Sequence, residues 1–316
     1  MPCATTHLHL ADRVLSEWRR HPDRSPLRLT LGGVNGSDPV RLAFLHGSLA
    51  PDMGFVPGTH RLISELAHYV TPVTLTRALL VEARTPEEVA FAWGWASHVL
   101  GDVVLHPLVG RAVGERVRGD RSVRMDAAED VQTHVSLEVG LDMTLLGKSP
   151  ISPPPADTFF HSRSIAFLGR ALEGCYGVGW DGPILLRSHR RAVGLTRWWP
   201  RTLGILARGR WGRGPGRWGL GPPLETARRL VSAGSPIRGF LGPIQPQPWV
   251  VSEVMERAHA FPDDFQRWVD GGLAGVPDLN LETGEVAGAG RGHPASDEAL
   301  RKLDALRGEE SGALGP

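Results

Sequence analysis

Cysteine is nearly missing from this chain of 316 residues, with Cys3 and Cys175 the only two. Two thiols cannot staple a disulfide-dense secreted scaffold or build a zinc ribbon from cysteine pairs. Any bound metal must therefore be held by histidine and carboxylate. Long apolar runs are missing as well. No stretch of about 18 uncharged apolar residues qualifies as a membrane span. The first twenty residues carry His7, His9 and Asp12 where a secretory leader would need an apolar core. A cytoplasmic location is the expectation. Nor is there an excess of one charge: 35 basic and 34 acidic residues leave a formal +1. The overall balance demands no polyanionic partner or membrane surface, so any such preference must be local.

Strand-type alternation of Val, Ile, Thr and aromatics is also scarce, whereas helical periodicity dominates the first 175 residues. With 41% hydrophobic residues, the chain can bury a sizeable core. The predicted fold class is all-α, a multi-helix bundle with an irregular C-terminal extension. The expected organisation is a helical domain over 1–180, then an Arg/Gly/Trp-rich segment with additional helices on the core over 181–274. A flexible tail follows over 275–316, rich in Gly, Ala and charge, with at most a short helix at 296–307.

A first helix is predicted from Thr6 to Arg20, with Ala11, Val14, Leu15 and Trp18 on one face. His7 falls on that stripe and His9 on the opposite side, so His7 is expected inside and His9 outside. A second helix has clear punctuation: Thr85 as N-cap, Pro86 at the first helical position and Glu88 to close a capping box. It carries no formal charge between Glu88 and Asp102, as expected of a helix buried on most of its circumference, and Pro107 is expected to end or kink it. Further helices are predicted over 126–146, 158–172 and 250–269, the last beginning again at Phe261-Pro262. Nine arginines and no acidic residue lie between Gly182 and Leu224, interleaved with Trp198, Trp199, Trp211 and Trp218. The second part of that stretch is too rich in Gly and Pro for regular structure. It is either a solvated linker or a surface for an anionic lipid interface or a nucleic acid.

Nine of the thirteen histidines lie within the first 134 residues. His98, Asp102 and His106 are spaced i, i+4, i+8 and share one helical face, and His134 with Glu138 repeats the i, i+4 spacing. A carboxylate in the middle of an uncharged helix must be hydrogen-bonded, paired or bound to a cation. Imidazoles one turn to either side make zinc the natural cation, since mixed His and carboxylate sets suit it. The alternative is a buried aspartate satisfied by a neighbouring histidine or the backbone.

The strings GSLAPDMGF, LISELAHYV, FAWGWASHVLGDVVLHP and HVSLEVGLD, in that order, resemble the zinc-dependent phospholipase C family, whose helical fold is shared with single-strand-specific zinc nucleases. The resemblance covers about residues 1–146. It implies two or three zinc ions: Asp52, His68, His98 and Asp102 around one, His106, His134 and Glu138 around its close partner, and His7 with Asp102 at a third. Pro2 is a candidate terminal ligand there if Met1 is removed. His68 is preferred to His60, while His46 and His21 read as loop or surface residues. Asp142 is either an acceptor for a metal-bound histidine or a surface residue. The implied activity is phosphodiester hydrolysis by zinc-activated water attacking phosphorus, with Asp52 as candidate proton acceptor. The expected partner is a phospholipid headgroup, with peripheral membrane contact through the Arg/Trp-rich segment. Cleavage of nucleic acid, or a non-catalytic metal-binding regulatory role, are the alternatives.

Overall fold

Thr85, Pro86 and Glu88 start the longest helix as their sequence dictates. The Thr85 hydroxyl accepts from the Glu88 amide at 3.2 Å, and the Glu88 carboxylate accepts from the amides of Thr85 and Arg84 at 3.1 and 2.7 Å. This helix, α5 (Pro86–Arg118), ends at Gly119, whose φ of 73° is the left-handed conformation that glycine adopts at no steric cost. It does not end at Pro107. The helix runs through that residue, and the amide that Pro107 lacks falls on a half-buried side, next to Val103 and Val104.

The computed structural model describes residues 4–27, 38–56, 58–148, 151–159, 162–208, 213–214, 217–218, 242–287 and 293–313. Among them the fold is all-α. Besides α5 it comprises α1 (Ala4–Arg20), α2 (Pro39–Gly47), α3 (Arg61–Tyr69), α4 (Pro72–Glu82), α6 (Val131–Lys148), α7 (Ser162–Tyr176), α8 (Gly182–Arg208), α9 (Pro248–Asp270) and α10 (Pro294–Ala313). A two-residue antiparallel ladder, β1 (Arg213–Gly214) with β2 (Arg217–Trp218), and an isolated antiparallel bridge between Leu279 and Val286 are the extended pairings among the described residues. No described helix is long and apolar enough to cross a membrane.

Helix α5 forms the axis of the bundle. Helix α2 crosses it at two glycines: a Cβ on Gly94 would lie 2.0 Å from the Phe44 carbonyl oxygen, and one on Gly47 would lie 2.1 Å from that of Phe91. Backbone therefore rests on backbone at this crossing. Helices α5, α6 and α9 all pack against α1. Trp18 of α1 meets Phe44 edge-on at 5.5 Å and donates its indole N–H to Gln266 of α9 at 2.9 Å.

Several boundaries differ from expectation, each for a local reason. Helix α6 starts at Val131 because Asp126 caps a separate turn, accepting from Ala128 and Glu129, while Asp130 caps α6 itself through the Thr133 amide at 3.0 Å. Helix α9 passes Pro262 unbroken, with the buried Phe261 and Phe265 rings stacked at 6.0 Å across that turn. His9 is buried rather than outward, since α1 is covered on more than one side.

The expected flexible tail is packed on the core over 275–287 and 293–308. Leu281, Ala299 and Leu303 are buried, and Asp278 caps α4 by accepting from the amides of Val73 and Thr74 at 2.7 and 2.8 Å. Lys302 pairs with Glu65 of α3 at 2.9 Å. The first part of the arginine run continues as α8, where Arg190 pairs with Asp157 at 3.1 Å and Arg191 donates to the Gly58 carbonyl. The side chains of residues 198–218, with all four of the tryptophans singled out above, lie outside the described residues, as does Pro2.

Candidate metal centre

Three short-range arrangements aim the first group of side chains. The crossing at Gly47 and Gly94 brings the Ser48 carbonyl to His98, which donates from Nδ1 at 2.9 Å. One helical turn before His68, the Ser64 carbonyl accepts from His68 Nδ1 at 2.8 Å. The Ser64 hydroxyl holds the 3-10 turn Ala50–Gly54, accepting from the Gly54 amide at 2.7 Å and donating to the Pro51 carbonyl, and this places Asp52.

A carbonyl oxygen can only accept, so Nδ1 carries the proton in His68 and in His98. Each neutral ring then presents an unprotonated Nε2. These two Nε2 atoms lie 3.2 Å apart in a buried site. Two lone pairs facing one another at that distance repel unless a cation sits between them. The carboxylates complete the set, with Asp52 Oδ1 3.2 Å and 3.9 Å from the Nε2 atoms of His68 and His98, and Asp102 Oδ2 3.4 Å and 3.2 Å from the same atoms. Four donors placed tetrahedrally about 2.0 Å from zinc are separated by about 3.3 Å. The residues present fit that ion.

Asp102 uses its other oxygen toward two more rings: Oδ1 is 3.1 Å from His7 Nε2 and 3.3 Å from His106 Nε2. His7 stacks on His98 with ring centroids 3.8 Å apart, and Gly101 leaves the room for it, since a Cβ there would lie 3.1 Å from His7 Nδ1. The start of α1 is held by Asp142 of α6, which accepts from the amides of Thr5 and Thr6 at 3.0 and 2.9 Å and from the Thr6 hydroxyl at 2.8 Å. Asp142 thus caps the helix one residue before His7. It is neither a surface residue nor an acceptor for a histidine.

On α6, one turn apart, His134 Nε2 and Glu138 Oε1 lie 3.2 Å from one another, and Glu138 Oε1 is 3.6 Å from His106 Nε2. Glu282 closes the far side of these rings. Its Oε2 is 3.5 Å from His106 Nδ1 and its Oε1 is 3.4 Å from His134 Nδ1. Sequence reasoning missed Glu282 because it lies in the stretch taken for a flexible tail. Its one local signal is the apolar pair Leu279 and Leu281 just before it.

Among the described residues, every ion-pair partner of Asp52, Asp102, Glu138 and Glu282 is a histidine, and all four carboxylates are buried. With neutral imidazoles the pocket would hold four uncompensated negative charges, which two divalent ions would balance. Without metal, that balance falls to protons on His134 and His98. Burial lowers the pKa of His134, but Glu282 and Glu138 outweigh it and raise the group to about 9. His98 is likewise raised, with Asp102 and Asp52 overcoming burial, while burial and the neighbouring His98 lower His7. Burial would raise the Asp102 carboxyl, yet His106, His98 and His7 together hold it well below the ordinary carboxylate range.

Beside the centre is a cavity of about 130 Å³ whose walls include Phe55, Arg61, Tyr69, Val131 and Val135. His60 stands apart from it, edge-on to Trp180 at 5.1 Å. His46 is buried, contrary to its expected loop or surface place, and makes 2.9 Å contacts with His189 and with the Thr158 hydroxyl. Burial pushes its pKa down to about 4. His21 is exposed, as expected.

All eight side chains expected to share a site, His7, Asp52, His68, His98, Asp102, His106, His134 and Glu138, therefore converge, joined by Glu282. Comparison with curated proteins and with solved structures finds no match for the chain. Residues 6–181 match the family described as zinc dependent phospholipase C, a span that contains all eight and more than half the chain. A buried constellation whose lone pairs call for divalent cations, within a matched region of that extent, places this chain in the zinc-dependent phospholipase C family.

Proposed function

We propose that this protein is a zinc-dependent phosphodiester hydrolase acting on a phospholipid headgroup. The observation that carries the reading is the approach of the Nε2 atoms of His68 and His98 to 3.2 Å, each ring fixed by a backbone carbonyl against its Nδ1. Zinc held there supplies a water of lowered pKa and Lewis acidity toward a phosphoryl oxygen. His68, His98, Asp52 and Asp102 would hold one ion and His106, His134 and Glu138 a second. Asp102 turns one oxygen toward each group, and a third ion would be held by His7 and Asp102.

The remaining roles belong to the cavity wall. Asp52 lines the cavity and would accept the proton of an attacking water through a carboxylate oxygen that zinc leaves free. Arg61, paired with Glu65 at 2.7 Å and largely exposed at the mouth, meets the phosphoryl oxygens. Burial raises the Tyr69 phenol well above its ordinary range, so Tyr69 stays protonated and can donate to the same oxygens. Phe55, Val131 and Val135 give the apolar wall that a lipid glycerol and proximal chain require.

The test is hydrolysis of phosphatidylcholine, a chromogenic phosphodiester and single-stranded DNA by protein of verified zinc content. Turnover of the lipid that a chelator abolishes and zinc restores is the expected result. Preferential cleavage of DNA would move the substrate to nucleic acid, and full zinc loading with no turnover of any of the three would make the centre non-catalytic.

A further inference from the structure

We propose that Glu282 is a positioning residue of the second zinc site, holding the Nδ1 edges of His106 and His134 so that their Nε2 atoms face Asp102 and Glu138. The inference rests on the zinc reading of the centre, and it concerns a residue outside the 6–181 family match.

The geometry is a ring-edge division of labour. On the inner edge, His106 Nε2 is 3.3 Å from Asp102 Oδ1, and His134 Nε2 is 3.2 Å from Glu138 Oε1. On the outer edge, the two oxygens of Glu282 are divided, one facing each Nδ1 at 3.5 and 3.4 Å. For Nε2 to present a lone pair inward, Nδ1 must carry the proton and find an acceptor. His68 and His98 find theirs in the carbonyls of Ser64 and Ser48. The rings of His106 and His134 stand nearly perpendicular, 84° apart with centroids 5.7 Å from one another. A carboxylate with two oxygens serves both at once, and its charge raises the basicity of both inner nitrogens.

The chain is built to hold that carboxylate in place. Glu282 Oε1 also accepts from the Ala127 amide at 2.9 Å, so the oxygen is fixed at the N-terminal approach to α6. Arg124 donates to the carbonyls of Glu282 and Thr283. Asn280 accepts from the Glu282 amide at 2.9 Å, and the Leu281 amide donates to the His68 carbonyl at 2.8 Å. The segment is therefore tied to α3, which carries the first site, and to the loop before α6, which carries the second. A buried carboxylate costs several kcal/mol of desolvation unless donors meet it. At Glu282 the Ala127 amide is the hydrogen-bond donor, and the Nδ1 atoms of the two ligand histidines stand 3.5 and 3.4 Å from its oxygens.

Glu282→Gln and Glu282→Ala in the full chain test this against wild type. The readouts are zinc affinity by competition with a fluorescent chelator, total zinc at saturation, and the Nδ1–H resonances of ¹⁵N-histidine-labelled, zinc-loaded protein. The expected result is unchanged zinc at saturation, with the weakest site losing roughly 10–100-fold in affinity. Two downfield Nδ1–H signals present in wild type should shift or vanish in Glu282→Ala. Glu282→Gln, which keeps one acceptor oxygen, should lie between. If Glu282→Ala does not fold, the near-isosteric Gln variant carries the same readouts. Unchanged affinity and unchanged resonances overturn the role, and so does loss of a whole zinc equivalent at saturation, which would make Glu282 a ligand. A wild-type chain that takes up no zinc overturns the centre itself and this role with it.

Discussion

Around Asp102 one carboxylate serves four imidazoles, with His7 and His106 at Oδ1 and His68 and His98 at Oδ2. Replacing it with asparagine removes the charge that offsets cations on both sides and points an amide toward nitrogens that need to keep their lone pairs. Asp102→Asn should lose zinc from two positions and melt at a lower temperature, because zinc binding stabilises the folded state. Zinc per chain after dialysis and a thermal scan check this, and unchanged values for both would count against a bridging carboxylate. Much of this scale was legible in the sequence. The i, i+4 spacing places His98, Asp102 and His106 on one face whatever the tertiary context, and so too His134 with Glu138. Other residues could not be read that way. His46 is buried through contacts with His189 and Thr158, more than a hundred residues away.

At the scale of elements, the α2–α5 crossing links packing to the site. Gly94 precedes His98 by one turn, and Gly47 precedes the Ser48 carbonyl that orients His98. A methyl group on Gly94 would press on the Phe44 carbonyl and force the helices apart. Gly94→Ala should cost about 1–3 kcal/mol of stability in spite of better helix propensity, and should weaken zinc binding as Ser48 retreats from His98. Thr85→Ala is the natural contrast. It removes the capping box and costs about 1 kcal/mol but should leave zinc binding intact, since the cap lies more than three turns from His98. Urea unfolding and chelator competition on both variants separate the two effects. Cap and helix were both readable from Thr85, Pro86 and Glu88, because capping is a contact between residues three apart. Pro262 was misread as a break, and α5 does not end at Pro107, for the opposite reason. A proline destabilises an isolated helix, but burial of flanking side chains such as Phe261 and Phe265 holds these two helices continuous.

For the whole molecule, the centre is a crosslink. Its side chains come from α1, α3, α5, α6 and the turn at Asp52, so zinc held as proposed would tie these elements together, and Glu282 brings the C-terminal segment against the histidines of the second group. Zinc that binds the folded chain alone stabilises it by about 4 kcal/mol per site at a thousandfold excess over Kd, and chelation should lower the melting temperature accordingly. The metal-free form should then depend on pH through His134. Its folded-state value of about 9 is raised above the ordinary 6.5. Its stabilising contribution is therefore fully present below pH 6.5 and lost as pH rises through 9, a change of about 3 kcal/mol at most. Urea unfolding of chelated protein at the two ends of that window measures it, and stability that stays flat or rises would refute the buried, carboxylate-flanked imidazole.

The all-α class, the buried character of α5 and the grouping of ligands along helix faces follow from local periodicity, which depends on residues a few positions apart. The approach of His7 to Asp102, the cap Asp142 places on α1 and the arrival of Glu282 beside His106 and His134 depend on partners far away along the chain. Helical spacing carries no information about such partners. They exist once burial of a common core has brought distant segments of the chain into contact.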